Sequence, residues 1–461
     1  TIIGVPVGSY TVQCDHIGYQ SIRMSNVGVS GNLTTTTNFT LKVSAIQGDV
    51  VEIIGEKPLI NENATNTTRI IDTETIDNMA LRGVESVVAL QTGTVSDDGN
   101  IYVRGSRSGD LAYYVDGVYM NNAWTLSNTS TVSNSAMQEI QFQSGGFSAE
   151  YGNVNGGVVN TTTRTGGEDF SLFSELVTGL GSSGAGTEDG LYSYGYNLFN
   201  VNVGGTLSNG VRYFGSVETR KTDDSSPSLH SYNGIDRVEV DSLNTEGFDF
   251  VDETVREVLS ADGGMVLDTI YAGYRNNHEL FGAKPNSGSD RLTLTGNLVF
   301  DMGQMQLKLG GLLNNSDGRM YNHSYSLINS MSNPRFERQT QSLYANFTYS
   351  LSAESYVKMK LSSFKYTSET GDNFWWDNFN HYGDVGLDSY LRSTGKNPLS
   401  IEELAYFSGY GSVYDDYSYN ESSYWSFKAD YLNQLGNHEL KAGFDYRKNT
   451  IKYYRLAQPM E

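Results

Sequence analysis

From Phe170 onward the chain keeps a period of two, and no other feature restricts its fold as strongly. Leu292, Leu294, Gly296, Leu298 and Phe300 alternate with Thr293, Thr295, Asn297 and Val299. Met305, Leu307, Leu309, Gly311 and Leu313 repeat the pattern, as do Leu343, Ala345, Phe347, Tyr349 and Leu351. Trp425, Phe427, Ala429 and Tyr431 then alternate with Ser426, Lys428 and Asp430. In a strand successive side chains point to opposite faces, so each segment has one apolar and one polar face. The chain is rich in Gly and Tyr, 50 and 32 residues, and only 18% charged, which favours strands and tight turns over helices. Its 7 prolines are few enough to permit long uninterrupted ladders.

The connections are uneven. Phe300 to Gln304, Leu351 to Tyr356 and Leu435-Gly436-Asn437 are tight turns, whereas 221–290, 314–339 and 367–423 read as long polar loops. Short turns on one rim, long loops on the other and Tyr and Trp at the strand ends are the expected anatomy of an antiparallel transmembrane β-barrel. No run approaches the roughly 18 apolar residues of a membrane helix. A mean hydropathy of −0.41 does not argue against a barrel, in which only alternate residues meet lipid. The net charge of −22 argues against a nucleic-acid partner, which requires a basic face. The lone Cys14 forms no internal disulfide.

Two further regions precede the alternating one. Residues 1–48 read as a small, incomplete β-sandwich, with strands at Tyr10–Cys14, Gln20–Met24 and Phe39–Val43. Residues 49–60 read as a linker. Residues 61–165 mix element types into a compact α+β unit: Asp72-Thr73-Glu74-Thr75 offers helix caps, Val84 to Leu90 is apolar at helical spacing, and Asn100–Arg104, Ala112–Tyr119 and Ile140–Phe142 are strands between Gly-rich turns. Residues 166–461 are the expected start of the barrel.

Two blocks carry a resemblance to a known family. Ile101-Tyr102-Val103-Arg104-Gly105-Ser106-Arg107 precedes Tyr114-Val115-Asp116-Gly117-Val118. Met137-Gln138-Glu139-Ile140 is followed by Gly145-Gly146-Phe147-Ser148-Ala149-Glu150-Tyr151-Gly152 and by Asn155-Gly156-Gly157-Val158-Val159-Asn160. Together they resemble the plug signature of TonB-dependent outer-membrane receptors. Residues 1–45, with Pro6, Gly8, Tyr10, Gly18 and Tyr19, resemble the end of the carboxypeptidase-regulatory-like domain that precedes the plug in receptors of the Bacteroidetes type. The resemblance implies a mainly β protein of the cell outer membrane, with a plug inside a barrel of roughly 22 strands. About nine strands are recognisable here, so the chain is expected to be a piece of a longer receptor. Implied partners are a TonB-type energy-coupling protein in the periplasm, outer-membrane lipid, a surface lipoprotein by analogy, and a small-molecule, sugar or peptide cargo.

The signature residues Arg104, Gly105, Asp116, Gly117, Gly145, Gly146, Tyr151, Gly152, Gly156, Gly157 and Asn160 are expected to hold the plug together. Arg104 would pair with carboxylates, and Asp116 would cap the turn that follows it. Asp49, Val50, Val51, Glu52, Ile53 and Ile54 form an extended, β-branched segment suited to strand addition to a partner, or to service as the last strand of the preceding sheet. Tyr119, Asn121, Asn122 and Trp124 near the plug apex, with Trp375 and Trp376 on a long loop, are candidate substrate contacts; the aromatics equally suit an interfacial girdle. Asp223, Asp224, Asp415 and Asp416 offer oxygen ligands without EF-hand spacing, so no metal site is assigned. No HExxH, GxSxG, Walker A or CxxC motif occurs, and neither catalysis nor a cofactor is expected. A passive porin, a secreted carbohydrate-binding adhesin and a signalling receptor remain alternatives.

Overall fold

The computed structural model describes residues 2, 5, 7–30, 35, 37–43, 51–54, 67–97, 99–152, 154–179, 195–224, 232–240, 250–259, 265–280, 284, 286–326, 330–352, 354–373, 376–379, 382, 406–408, 414–436 and 438–457. Side chains are described for these residues except at 9, 51–54, 232–240, 250–259, 265–280 and 331.

Strands β1 (Gly8–Cys14) and β2 (Ile22–Val29) pair antiparallel, and β3 (Val51–Ile54) adds parallel to β2, giving the order β1-β2-β3. This corrects two expectations. Of Phe39–Val43 only Val43 joins a ladder, through an isolated bridge to Tyr19, and the described residues form one sheet, not a two-layer sandwich. Part of the expected linker supplies the third strand.

The second unit contains β4 (Thr68–Asp72), α1 (Thr73–Asn78), α2 (Val84–Ala89), β5 (Thr94–Asp97), β6 (Asn100–Val103), β7 (Leu111–Val115), β8 (Val118–Tyr119), β9 (Met137–Gln143) and β10 (Gly157–Thr163). Asp72 caps α1 by accepting the amide of Thr75 at 3.1 Å. Helix α2 buries Val84, Val87 and Val88, spaced so that they share one face. They pack with Ile71, Ile76, Ile140 and Phe142 beside a five-stranded sheet ordered β4-β9-β10-β7-β8. The same cluster continues into Phe214, Leu312, Tyr344, Phe364 and Tyr424 of the long-stranded region, so the unit is docked on that wall.

The wall begins with β11 (Ser171–Thr178), β12 (Asn197–Ser208) and β13 (Val211–Thr222). After an excursion of three strands, β14 (Tyr232–Val240), β15 (Phe250–Leu259) and β16 (Met265–Leu280), it resumes with β17 (Ser289–Met302), β18 (Met305–Arg319), β19 (Arg335–Ser350), β20 (Ser355–Gly371), β21 (Asp416–Leu435) and β22 (His438–Ala457). Nine strands form one antiparallel sheet, and β14-β16-β15 form a separate one. Register then sorts the faces. Phe214, Asn297, Gly310, Tyr344, Ser362 and Ser426 make one row on the plug side. The adjacent row, Tyr213, Leu298, Leu309, Ala345, Leu361 and Phe427, points away. On β18 the outward apolar positions run from Met305 to Leu313, about 27 Å along the strand. Strand tilt reduces that to about 20 Å, near the height of an outer-membrane apolar band.

The long loops are shorter than the sequence suggests. Asn314–Arg319, Arg335–Gln339, Thr367–Gly371 and Asp416–Tyr419 continue the ladder, and 221–290 holds the excursion strands. Beyond the apolar band both faces of a strand meet water, so alternation fades while backbone pairing persists.

Candidate functional site: the plug–wall interface

The two-residue turn Asp116-Gly117 joins β7 to β8 across the pair Val115↔Val118, with φ of 47° and 73°. Asp-Gly is the preferred pair for such a turn because both positions need positive φ. The turn presses against the wall: a Cβ added to Gly117 would collide with Nζ of Lys360.

Asp116 does not cap the following turn, as the sequence suggested; its oxygens reach across instead. Oδ1 accepts the Thr163 amide at 3.1 Å, and Oδ2 accepts Oγ1 of Thr163 at 2.6 Å, tying β7 to β10. From the wall, Lys308 Nζ lies 3.2 Å from Oδ1, Tyr344 donates its hydroxyl to Oδ2 at 2.8 Å, and Lys360 donates to the Asp116 carbonyl at 2.6 Å. The side chain is only 5% exposed. Burial works against ionisation, but the charge of Lys308 and the bonds from Thr163 and Tyr344 prevail and hold the carboxyl below its usual value. One plug residue therefore engages three wall strands.

A second ionic contact lies at Glu150, which accepts from Lys428 at 2.7 Å and Lys441 at 2.8 Å. Burial opposes ionisation here too, yet the two lysines bring the carboxyl down to about 2. Further hydrogen bonds continue the seam. Ser133 donates to Glu218 at 2.7 Å, Ser135 to Asn200 at 2.8 Å, and Asn297 donates to the Arg164 carbonyl at 2.8 Å. Sequence reasoning missed Lys308, Tyr344, Lys360, Lys428 and Lys441. The available signal was lysine at alternate positions of strands whose other face is apolar.

Arg104 departs from expectation. It has φ 50°, its amide bonds to the Gly93 carbonyl at 2.9 Å, and its exposed side chain forms no ion pair among the described residues. Its guanidinium lies over Gly145, where a Cβ would come within 3.0 Å of Nη1. Gly105 and Gly146 have positive φ, and Gly156 and Gly157 abut Ser106 and Gln143. Asn160 is buried in register with Tyr114, Tyr151 packs its ring 5.5 Å from Tyr114, and Gly152 has open space around it.

At the other end of the bore, the apex is held lightly. Trp124, 55% exposed, stacks on Tyr453 at 5.1 Å, and its amide bonds to Asn122 Oδ1 at 2.8 Å. Asn122 reaches Asn420 at 3.3 Å, and the Ala123 amide reaches Ser422 at 2.9 Å. Tyr119 lies under the Arg447 guanidinium at 4.4 Å. Asn121 is a fully engaged internal brace: its amide serves Leu111, Tyr113 and Leu126. Trp376, with φ 41°, lies under Arg335 at 4.6 Å, on the wall side of the molecule. Trp375, Asp49 and Val50 lie outside the described residues. Three of the four aspartates considered as metal ligands are engaged with cations: Asp224 with Lys284 at 3.1 Å, Asp223 with Lys221 at 3.9 Å, and Asp416 with Arg455.

Residues 61–159 match the family model of the TonB-dependent Receptor Plug Domain, the same stretch that the wall grips through Asp116 and Glu150. Over that stretch the chain carries a TonB-dependent receptor plug domain. These receptors are outer-membrane β-barrel proteins and not enzymes. The TonB-dependent transporter Oar of Myxococcus xanthus is 30% identical over 187 residues, covering 38% of this chain and 18% of that protein. The FrpB iron transporter of Neisseria meningitidis superposes with a TM-score of 0.52 at 12% identity, over 84% of this chain and 49% of its own. The copper transporter OprC gives 0.50 at 10% identity, over 85% and 47%. The chain thus spans about half the length of those structures and less of Oar.

Proposed function

We propose that the full-length receptor actively transports a nutrient across the outer membrane, with cargo taken up at the plug apex and the outer loops. The observation that carries this reading is Asp116, buried between Lys308, Tyr344 and Lys360. A plug pinned to the wall by desolvated charges closes the bore, and breaking such a pair costs about 3–5 kcal/mol. Thermal release of the plug is correspondingly rare, so flux through the bore requires work from outside. A periplasmic TonB-type protein supplies that work by pulling on the segment Asp49–Ile54. Strand β3 sits at the edge of its three-stranded sheet, and an edge can accept a partner strand by backbone pairing.

The exposed aromatic Trp124 beside Tyr453, with the amide of Asn122 at hand, suits a cargo with an apolar face and hydrogen-bonding edges, such as a sugar or peptide. Tyr119 and Trp376 are the other described candidates for contact, and Trp375 completes the set. Asn121 serves the apex by shaping its loop. The iron and copper named for the structural neighbours belong to those proteins.

The test is growth and uptake in a strain carrying only the full-length receptor, across defined nutrient sources. Uptake should vanish when the inner-membrane energy coupler is deleted, and Val51→Pro should abolish uptake while cell-surface binding persists. Uptake that continues without the coupler would establish a passive channel instead.

A further inference from the structure

The outward face of the wall carries a dent that the plug does not explain. Gly215, Gly296 and Gly311 are direct neighbours on β13, β17 and β18, so three consecutive strands lack a side chain in one outward row. Leu298, Leu309, Leu343, Leu361 and Trp425 rise around this floor and enclose about 900 Å³, nearly all of it apolar. No plug residue lines the space, and Leu343 at 67% and Leu361 at 55% exposure confirm that it opens away from the bore. In the membrane an empty hollow forfeits contacts on one side of every lining atom, so a lipid tail lowers the energy by entering it.

One row nearer the outer rim the chemistry changes. Lys365 follows the dent residue Ser363 by two positions, about 7 Å along β20. Its Nζ lies 3.6 Å from Glu421, and Lys452 lies 2.9 Å from the same carboxylate. Two lysines share one glutamate, leaving a surplus positive charge at the edge of the apolar band. The Lys365 and Lys452 side chains are 50% and 61% exposed, whereas Glu421 is 9% exposed, so it is the cations that face outward.

We propose that this surface binds one outer-leaflet lipid with a net-anionic phosphate headgroup, its tail in the glycine dent and its phosphate on Lys365 and Lys452. Apolar hollow and surplus cation lie at the vertical separation that a lipid's tail and headgroup require. Neither alone selects a ligand; their stacking does, because a neutral partner face would leave the cations unmatched, and a soluble anion would leave the hollow empty.

The experiment uses the full-length receptor in phosphatidylcholine vesicles, with or without phosphatidylglycerol, each doped with the corresponding lipid bearing a photoreactive tail. Labelled positions are read by mass spectrometry. Labelling should concentrate on Leu298, Leu309, Leu361 and Trp425 and should rise with phosphatidylglycerol. Gly215→Leu fills the dent without strain, since the nearest atom to its new Cβ is Val203 Cγ2 at 3.8 Å. It should cut that labelling on the order of tenfold. Lys365→Gln and Lys452→Gln, which lie outside the dent and report even if Gly215→Leu folds poorly, should each reduce the gain from phosphatidylglycerol about fivefold. Uniform labelling of the whole outward face, labelling indifferent to headgroup, or cross-links to protein in place of lipid would each overturn the assignment.

Discussion

The plug meets the wall in two chemically different zones. In the half nearer the tight turns, contact is ionic: the buried Asp116 against Lys308 and Lys360, and the partly exposed Glu150 against Lys428 and Lys441. Near the outer loops it joins uncharged groups, through a half-exposed stack of Trp124 on Tyr453 and hydrogen bonds from the buried Asn122 to Asn420 and from the Ala123 amide to the buried Ser422. Buried charge pairs are expensive to separate because each partner is left desolvated, whereas an exposed stack or amide contact is replaced cheaply by water. The contrast assigns holding to the inner zone and adaptability to the apex, where a cargo has to be accommodated. On the proposed mechanism, a pull from the periplasm would act first on the zone that resists it most.

The largest effect should come from Asp116→Ala, which strands Lys308 in the bore and removes the acceptor for the Thr163 amide. The cost to plug seating should be about 3–5 kcal/mol. It is measurable as more than a hundredfold faster hydrogen exchange at Thr163 in the full-length receptor. Adding Lys308→Met should restore much of the seating, read at β10 amides that do not bond to Asp116, because a buried apolar pair avoids the stranded charge. Unchanged exchange in the single variant would break the division into two zones.

A smaller effect is expected at Glu150. Its carboxyl in the folded protein, at about 2, lies below the ordinary 4.5, so ionised Glu150 stabilises the docked plug. That contribution is complete above the ordinary value and disappears as pH falls from there toward 2. Glu150→Gln should lose about 2–3 kcal/mol near neutrality and flatten the loss of plug protection on acidification, read from exchange across Ser148–Tyr151. A pH profile identical to that of the unaltered receptor would remove Glu150 from the inner zone.

How much of this was legible in the sequence follows from which signals are local. Strands β17, β18, β19 and β21 announce themselves, because each alternates under its own burial pattern. The Asp-Gly turn is equally local, since its dihedral demands select its residues. The partner of Asp116 was not legible: a lysine at Lys308 or Lys360 on an alternating strand reads the same whether it faces water or a plug carboxylate almost two hundred residues or more away in sequence. Arg104 misled for the converse reason. A charged residue within a plug motif suggested a salt bridge, but its backbone, with φ 50° and its amide on Gly93, serves a turn. The excursion β14–β16 was hidden because polar strands outside the apolar band carry no alternation to read.

The smallest effect should come from the apex. Trp124→Ala removes one aromatic stack worth about 0.5–1.5 kcal/mol, so exchange at Ala123 and Trp124 should quicken only several-fold. Protection of Thr163 should be untouched, because effects of sites that share no partners are nearly additive. That independence is the sharpest check on the comparison. If Trp124→Ala loosened Thr163 as Asp116→Ala does, apex and anchor would form one cooperative unit, and cargo arriving at Trp124 could itself weaken the grip on Asp116. If Thr163 stays protected, release of the plug belongs to the periplasmic pull alone, and the apex only decides what is bound when that pull comes.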